Sequence, residues 1–87
     1  METWVEIKEA PGYIVSNLGR VKNKITGRIL KPYLNRAGGY ERVNINNKHY
    51  YIHKLVMNSF FVGGSDRKIR HIDRDKSNNH IANLEYF

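Results

Sequence analysis

Cysteine is absent from this 87-residue chain, so neither a disulfide framework nor a thiolate site for metal or nucleophilic chemistry can be built. No apolar run approaches the length of a membrane span, and the opening METWVEIKEA lacks the profile of a signal peptide. A soluble, cytoplasmic protein without membrane contact is expected. Acidic residues are scarce as well, eight against fifteen lysines and arginines, which leaves a net charge of +7. With an isoelectric point near 9.9, the chain favours a polyanionic partner, nucleic acid first. Its length allows one small domain with a modest core, so support from a homo-oligomer or another partner is plausible.

The chain then reads as punctuated strands. Met1 to Ala10 places Trp4 and Ile7 at helical spacing, but Trp4, Glu6 and Lys8 at strand spacing; Pro11-Gly12 closes it as a turn. Trp4 is expected to anchor the core rather than stack on bases. Tyr13-Ile14-Val15 is a β-branched strand, Ser16-Asn17-Leu18-Gly19 a turn, and Arg20 to Asn23 a strand with Arg20 and Lys22 on one face. After Thr26-Gly27, residues Arg28 to Lys31 are expected to return as a strand before Pro32. Arg20, Lys22, Lys24, Arg28, Lys31 and Arg36 form a block with no acidic residue among them. Such a block tracks phosphates on a twisted hairpin, or else forms a solvated edge that discourages sheet-to-sheet pairing. Tyr33 and Tyr40 could stack on bases, although tyrosines in a small β-rich domain more often fill its core.

Asn35 to Gly39 is a loop, and Tyr40 to Ile45 alternates cleanly, with Glu41, Val43 and Ile45 on one face. Asn46-Asn47 makes a hairpin turn, since asparagine tolerates positive φ, and Lys48 to Tyr51 returns. The period then changes: Ile52, Leu55, Val56, Ser59 and Phe60 fit one helical stripe, predicting a helix over Tyr51 to Phe61 that Gly63-Gly64-Ser65-Asp66 ends. His53, at the helix start, is read as a structural imidazole, and His49 and His80 as exposed. The fold class is α+β: a small antiparallel meander, one central helix and a C-terminal hairpin. Residues 1–50 form a basic β module and residues 51–87 the helix with the hairpin, in one compact unit.

The stretch IRHIDRDKSNNHIANLEYF, residues 69 to 87, carries the densest chemistry. A strand over Lys68 to Ile72, a polar loop and a strand over Asn83 to Phe87 put His71 and Asp73 on one face by the period of two. Oxygen ligands beside an imidazole suit a hard divalent ion and proton transfer. An EF-hand is excluded, because its sixth and twelfth positions, counted from Asp73, hold Asn78 and Leu84.

The run His71-Ile72-Asp73-x-Asp75-Lys76-x-Asn78-Asn79-x-x-x-Asn83-Leu84-Glu85 resembles the phage-type HNH (His-Me finger) homing endonucleases. Upstream, Trp4 with Ile7, Gly12 to Asn23, Thr26-Gly27-Arg28, Leu30-Lys31-Pro32, Gly39-Tyr40 and His53-Lys54-Leu55-Val56 resemble the small nuclease-associated module of those enzymes. The resemblance implies a hairpin and helix cradling one divalent ion such as Mg²⁺, with His71 as general base and Asn83 as a structural asparagine of the loop. It also implies a metal ligand just before the histidine, where this chain has Arg70, and a last ligand on a helix that would follow Phe87. An arginine cannot ligate a cation. Asp73 and Asn79 are the substitute ligands within reach, and Arg70 and Arg74 add to the nucleic-acid contacts.

Three readings follow. The first is a DNA-engaging protein of HNH lineage with a degenerate, inactive centre and no cofactor. The second is a phage-borne inhibitor of a host nuclease or RNA-guided defence complex, in the manner of anti-CRISPR proteins. The third is a nicking endonuclease that uses His71 and a divalent cation.

Overall fold

The computed structural model describes residues 1–61 and 67–87. Three strands, β1 (Trp4–Glu6), β2 (Tyr13–Ser16) and β3 (Val21–Asn23), form an antiparallel sheet in chain order. The β-branched run at β2 turns Val15 into the core, where Val21 lies opposite it. Trp4 differs from expectation: it is half-buried, at the sheet edge, with Lys22 Nζ 4.1 Å from its ring centroid and the Arg20 guanidinium 5.5 Å from it. Arg20 and Lys22 do share a face, and that shared face covers the indole. Residues 28–31 form no strand. They contribute one bridge, Lys22 to Ile29, and the Leu30 N–H donates to the Val21 carbonyl at 2.8 Å. Pro32, without an N–H, cannot extend the pairing, and the chain leaves for a second sheet.

That sheet comprises β4 (Tyr33–Leu34), β5 (Glu41–Ile45) and β6 (Lys48–Tyr51). Asn46 and Asn47 both take positive φ, 52° and 68°, the pair of left-handed residues that a tight hairpin turn demands. Val43 and Ile45 are buried on one face, as the alternation predicts. The helix α1 spans Ile52–Phe60, one residue shorter at each end than the periodicity suggests. It lacks a side-chain cap and an acidic first turn, and nine residues are too few to hold a helix alone. Its stability comes from Ile52, Leu55, Val56 and Met57, each buried and each contributing about 1.5–3 kcal/mol of burial. The expected breaker at 63–66 lies outside the described residues.

The C-terminal hairpin pairs β7 (Ile69–His71) with β8 (Leu84–Tyr86), the latter preceded by a 3-10 turn over Ile81–Asn83. Both strands are shorter than expected, because Ile72 to Arg74 form a turn closed by the Arg74 N–H on the His71 carbonyl at 3.0 Å. One core cluster runs from Ile7 through Leu84, so the sheets, helix and hairpin bury a common interior.

The N-terminal turn seats the hairpin loop directly. The Ile81 N–H donates to the Asn17 carbonyl at 2.8 Å. Gly19, at φ +85°, packs so closely that a Cβ there would fall 2.8 Å from Asn79 Cβ and 2.9 Å from its carbonyl oxygen. Gly12 has a similar φ of +92° but open space around it. Gly12→Ala is therefore expected to cost only backbone strain, about 1 kcal/mol, and Gly19→Ala about 3 kcal/mol. Urea midpoints of the two variants check this; equal losses would show that the Asn79 contact carries no weight.

Candidate active site and nucleic-acid interface

His71 ends β7 opposite Leu84 and is buried, with 7% of its surface exposed. Its Nε2 lies 2.8 Å from Asn79 Oδ1, and Asn79 Nδ2 donates to Glu41 Oε1 at 3.2 Å. The Glu41 carboxylate requires the amide nitrogen, so the amide oxygen faces the imidazole. Neutral His71 thereby carries its proton on Nε2 and keeps the Nδ1 lone pair, the arrangement a general base needs. Burial raises the Glu41 pKa, with the Asn79 hydrogen bond opposing it and the charge of Asp75 reinforcing it.

His53 and Tyr40 flank this imidazole. The ring centroids of His53 and His71 are 5.4 Å apart in an edge-on arrangement, and Tyr40 lies 4.9 Å from His53 and 5.9 Å from His71. His53 is 6% exposed and its Nδ1 has no hydrogen-bond partner. It packs against rings rather than bonding backbone. Burial, and then the nearby His71 and Lys54, pull its pKa down to about 4.

Asp73 points outward, so it does not share a face with His71; the turn after β7 ends the period of two. Its Oδ1 accepts from the Asp75 N–H at 2.8 Å and from Asn83 Nδ2 at 2.8 Å, and its Oδ2 accepts from Asn78 Nδ2 at 2.9 Å. These bonds, led by that from Asn78, hold its pKa below the usual carboxylate range. Asn83 Oδ1 accepts from the Asp73 N–H at 3.0 Å, while its Nδ2 also donates to the Asn78 carbonyl at 2.9 Å. One asparagine thus ties both ends of the loop. Asp75 caps the next turn through the Ser77 N–H at 3.0 Å.

Arg70 is exposed and pairs with Glu85 directly across the hairpin. Around His71 the cations gather. A cavity of about 220 Å³ is lined by His71, Arg70, Arg74, Lys76, Tyr40, Ile69 and Phe87. A larger one of about 480 Å³ shares Tyr40, Ile69 and Phe87 with it and adds Tyr51, His53, Lys54, Asn58, Arg67 and Lys68. Among the described residues, no carboxylate side chain lines either. The basic block upstream is spread out by comparison: Arg20 pairs with Glu2, Lys24 lies 3.9 Å from Glu6, Arg28 and Lys31 line a separate cavity, and Arg36 is exposed in a loop.

Glu41, Lys54, Arg67 and Lys68 were not evident as site residues from sequence. Glu41 alone left a signal, a carboxylate on the inward face of an alternating strand beside Val43 and Ile45. As they stand, the candidate donors are engaged in other contacts. Arg70 is engaged with Glu85, both Asp73 oxygens are taken by loop donors, and Asn79 Oδ1 is committed to His71. Among the described residues no group of three or more His, Cys, Asp or Glu side chains converges. Nor is any described helix long and apolar enough to cross a membrane.

Residues 2–46 match the family model described as the NUMOD4 motif. An HNH endonuclease of Acanthamoeba polyphaga mimivirus is 35% identical over 85% of this chain and 24% of its own length. The H-N-H endonuclease F-TflI of Escherichia phage T5 is 32% identical over 94% of this chain and 45% of its own. Among solved structures, the HNH homing endonuclease I-HmuI, described for DNA binding and cleavage, superposes with a TM-score of 0.83 at 32% identity. That match covers 98% of this chain and 52% of I-HmuI. The chain thus spans from about a quarter to about half of the length of these relatives.

The buried His53 makes stability depend on pH. The folded chain keeps this imidazole neutral, so the unfolded chain binds the extra proton as pH drops below 6.5. Stability contributed by neutral His53 is complete above that pH and is lost progressively toward pH 4. Urea titrations across this window are expected to show a falling midpoint in the wild type and a flatter profile in His53→Phe, which keeps a ring against Tyr40.

Proposed function

The chain belongs to the HNH-type phage endonuclease family and carries its NUMOD4 motif, and from that premise we propose that it binds DNA without hydrolysing it through residues 1–87 alone. One observation carries the reading: a cationic trough runs over an oriented imidazole, while the residue before that imidazole is an arginine locked to Glu85. The trough supplies what a phosphodiester backbone needs, cations at close spacing. His71 supplies a base held in one tautomer by Asn79 and Glu41. A divalent cation is typical of cutting by HNH enzymes, where it stabilises charge on the scissile phosphate. Arg70 stands where that ion's ligand is expected and would repel it. The base half of the reaction is therefore assembled and its electrophilic half is not, so a bound backbone is gripped and left intact.

Duplex DNA affinity is expected to fall by roughly 10³-fold or more between about 50 and 200 mM salt, as for six or more phosphate contacts. Lys68→Ala should lower the slope of log affinity against log salt by about one. Supercoiled plasmid with Mg²⁺ or Mn²⁺ is expected to stay unnicked. Metal-dependent nicks that vanish in His71→Ala would overturn the reading in favour of a nickase. Neither nicking nor DNA affinity would move it to a protein target such as a host nuclease or RNA-guided complex.

A further inference from the structure

Ile25 stands 90% exposed at the tip of the hairpin that follows β3. Its perch is tightly built. Asn23 Oδ1 accepts from the N–H groups of Ile25 at 2.9 Å and Thr26 at 3.0 Å, and the Gly27 N–H returns to the Asn23 carbonyl at 2.9 Å. Thr26 Oγ1 accepts from the Arg28 N–H at 3.2 Å, and the Lys24 N–H binds the Gly12 carbonyl at 2.9 Å. The backbone of the tip is therefore held by hydrogen bonds on both sides of the isoleucine.

Single exposed apolar residues are ordinary on protein surfaces. Here the surroundings set this one apart. From Arg20 to Arg36 the sequence has no carboxylate. On the flank of the tip, Arg28 and Lys31 line a cavity of about 300 Å³ with Asn23 and Thr26, and neither cation has an ion pair among the described residues. Lys24 is held only by an exposed contact with Glu6 at 3.9 Å. An apolar point flanked by two cations without ion pairs among the described residues complements a surface that is polyanionic outside and apolar within. Stacked base pairs between two phosphate backbones have that character.

We infer that Ile25 is a wedge that enters between base pairs of bound DNA from the minor groove, with Arg28 and Lys31 on the adjoining phosphates. Apolar wedges of this kind unstack one step and kink the duplex by roughly 20–90°. The inference rests on the DNA-binding reading above and adds that the DNA is deformed. The tip and the Gly19 turn lie at opposite ends of β3, six residues and no more than roughly 22 Å apart. Since Gly19 abuts Asn79, the kink falls within about one helical turn of the phosphate over His71.

A duplex of about 30 base pairs with flexible TA and CA/TG steps, dye-labelled at both ends, reports bending by energy transfer. The 87-residue chain is expected to shorten the end-to-end distance on binding. Ile25→Ala is expected to lose more than half of that bend while affinity falls by less than about tenfold. Being fully exposed, the substitution should leave the circular dichroism spectrum unchanged. Arg28→Ala serves as the counterpart, expected to weaken binding and reduce its salt slope while saturated complexes stay bent. A wild-type complex that binds straight, or an Ile25→Ala complex that bends as much, would overturn the wedge and leave DNA binding standing. Failure of the wild type to bind at all would sink both, and would show in the titration before any bend is measured.

Discussion

The Asn79 side-chain amide is the constraint on which the site depends. It receives a buried imidazole on its oxygen and presents its nitrogen to a half-buried carboxylate, and it can do so in one orientation only. The glycine turn of the N-terminal module fixes its position by lying against its Cβ and carbonyl. Remove the close approach and the amide is free to shift; shift the amide and His71 loses both its tautomer and its aim. Electrostatics within the protein and steric fit between two segments sixty residues apart therefore act through one side chain.

The two halves of a hydrolytic centre have separate physical supports in this fold. The base is supported from within, by Asn79, Glu41 and the rings of Tyr40 and His53. The position before the base faces outward on the hairpin, where Arg70 meets Glu85 and the Phe87 ring, 5.7 Å from the guanidinium carbon to the ring centroid. A cross-strand ion pair stabilises a short hairpin modestly. The contacts that hold His71 and the Arg70–Glu85 pair share no residue.

Much of the architecture is legible locally. The alternation of Glu41 to Ile45, the two asparagines at 46 and 47, and the stripe from Ile52 to Phe60 each follow from a period or a turn preference in a few consecutive residues. The misreadings have tertiary causes. Arg28 to Lys31 has strand composition, but Pro32 and the crossing to a second sheet leave it with a single bridge. Trp4 is apolar enough for a core, yet Lys22 and Arg20 cover it from outside. His71 and Asp73 are separated by one residue, and the turn that begins there sends one inward and the other to solvent. Glu41 shows the limit: its inward phase marks it as unusual, but nothing local names Asn79 as its partner. The resemblance to HNH enzymes located the imidazole and the loop asparagine, whereas the cationic walls at Lys54, Arg67 and Lys68 come together only through packing.

The fit between Gly19 and Asn79 bears on which hybrids of related chains would fold. A crossover that joined the first module of one relative to the hairpin of another would bring together a turn and a loop shaped by different partners. Where the incoming turn carried a Cβ, or the incoming loop a bulkier neighbour, the chimera would fold with its imidazole misaligned or fail to close its interior. Such modules are therefore best inherited as a pair, and the contact between residues 19 and 79 is the place to look for compatibility when pieces are exchanged.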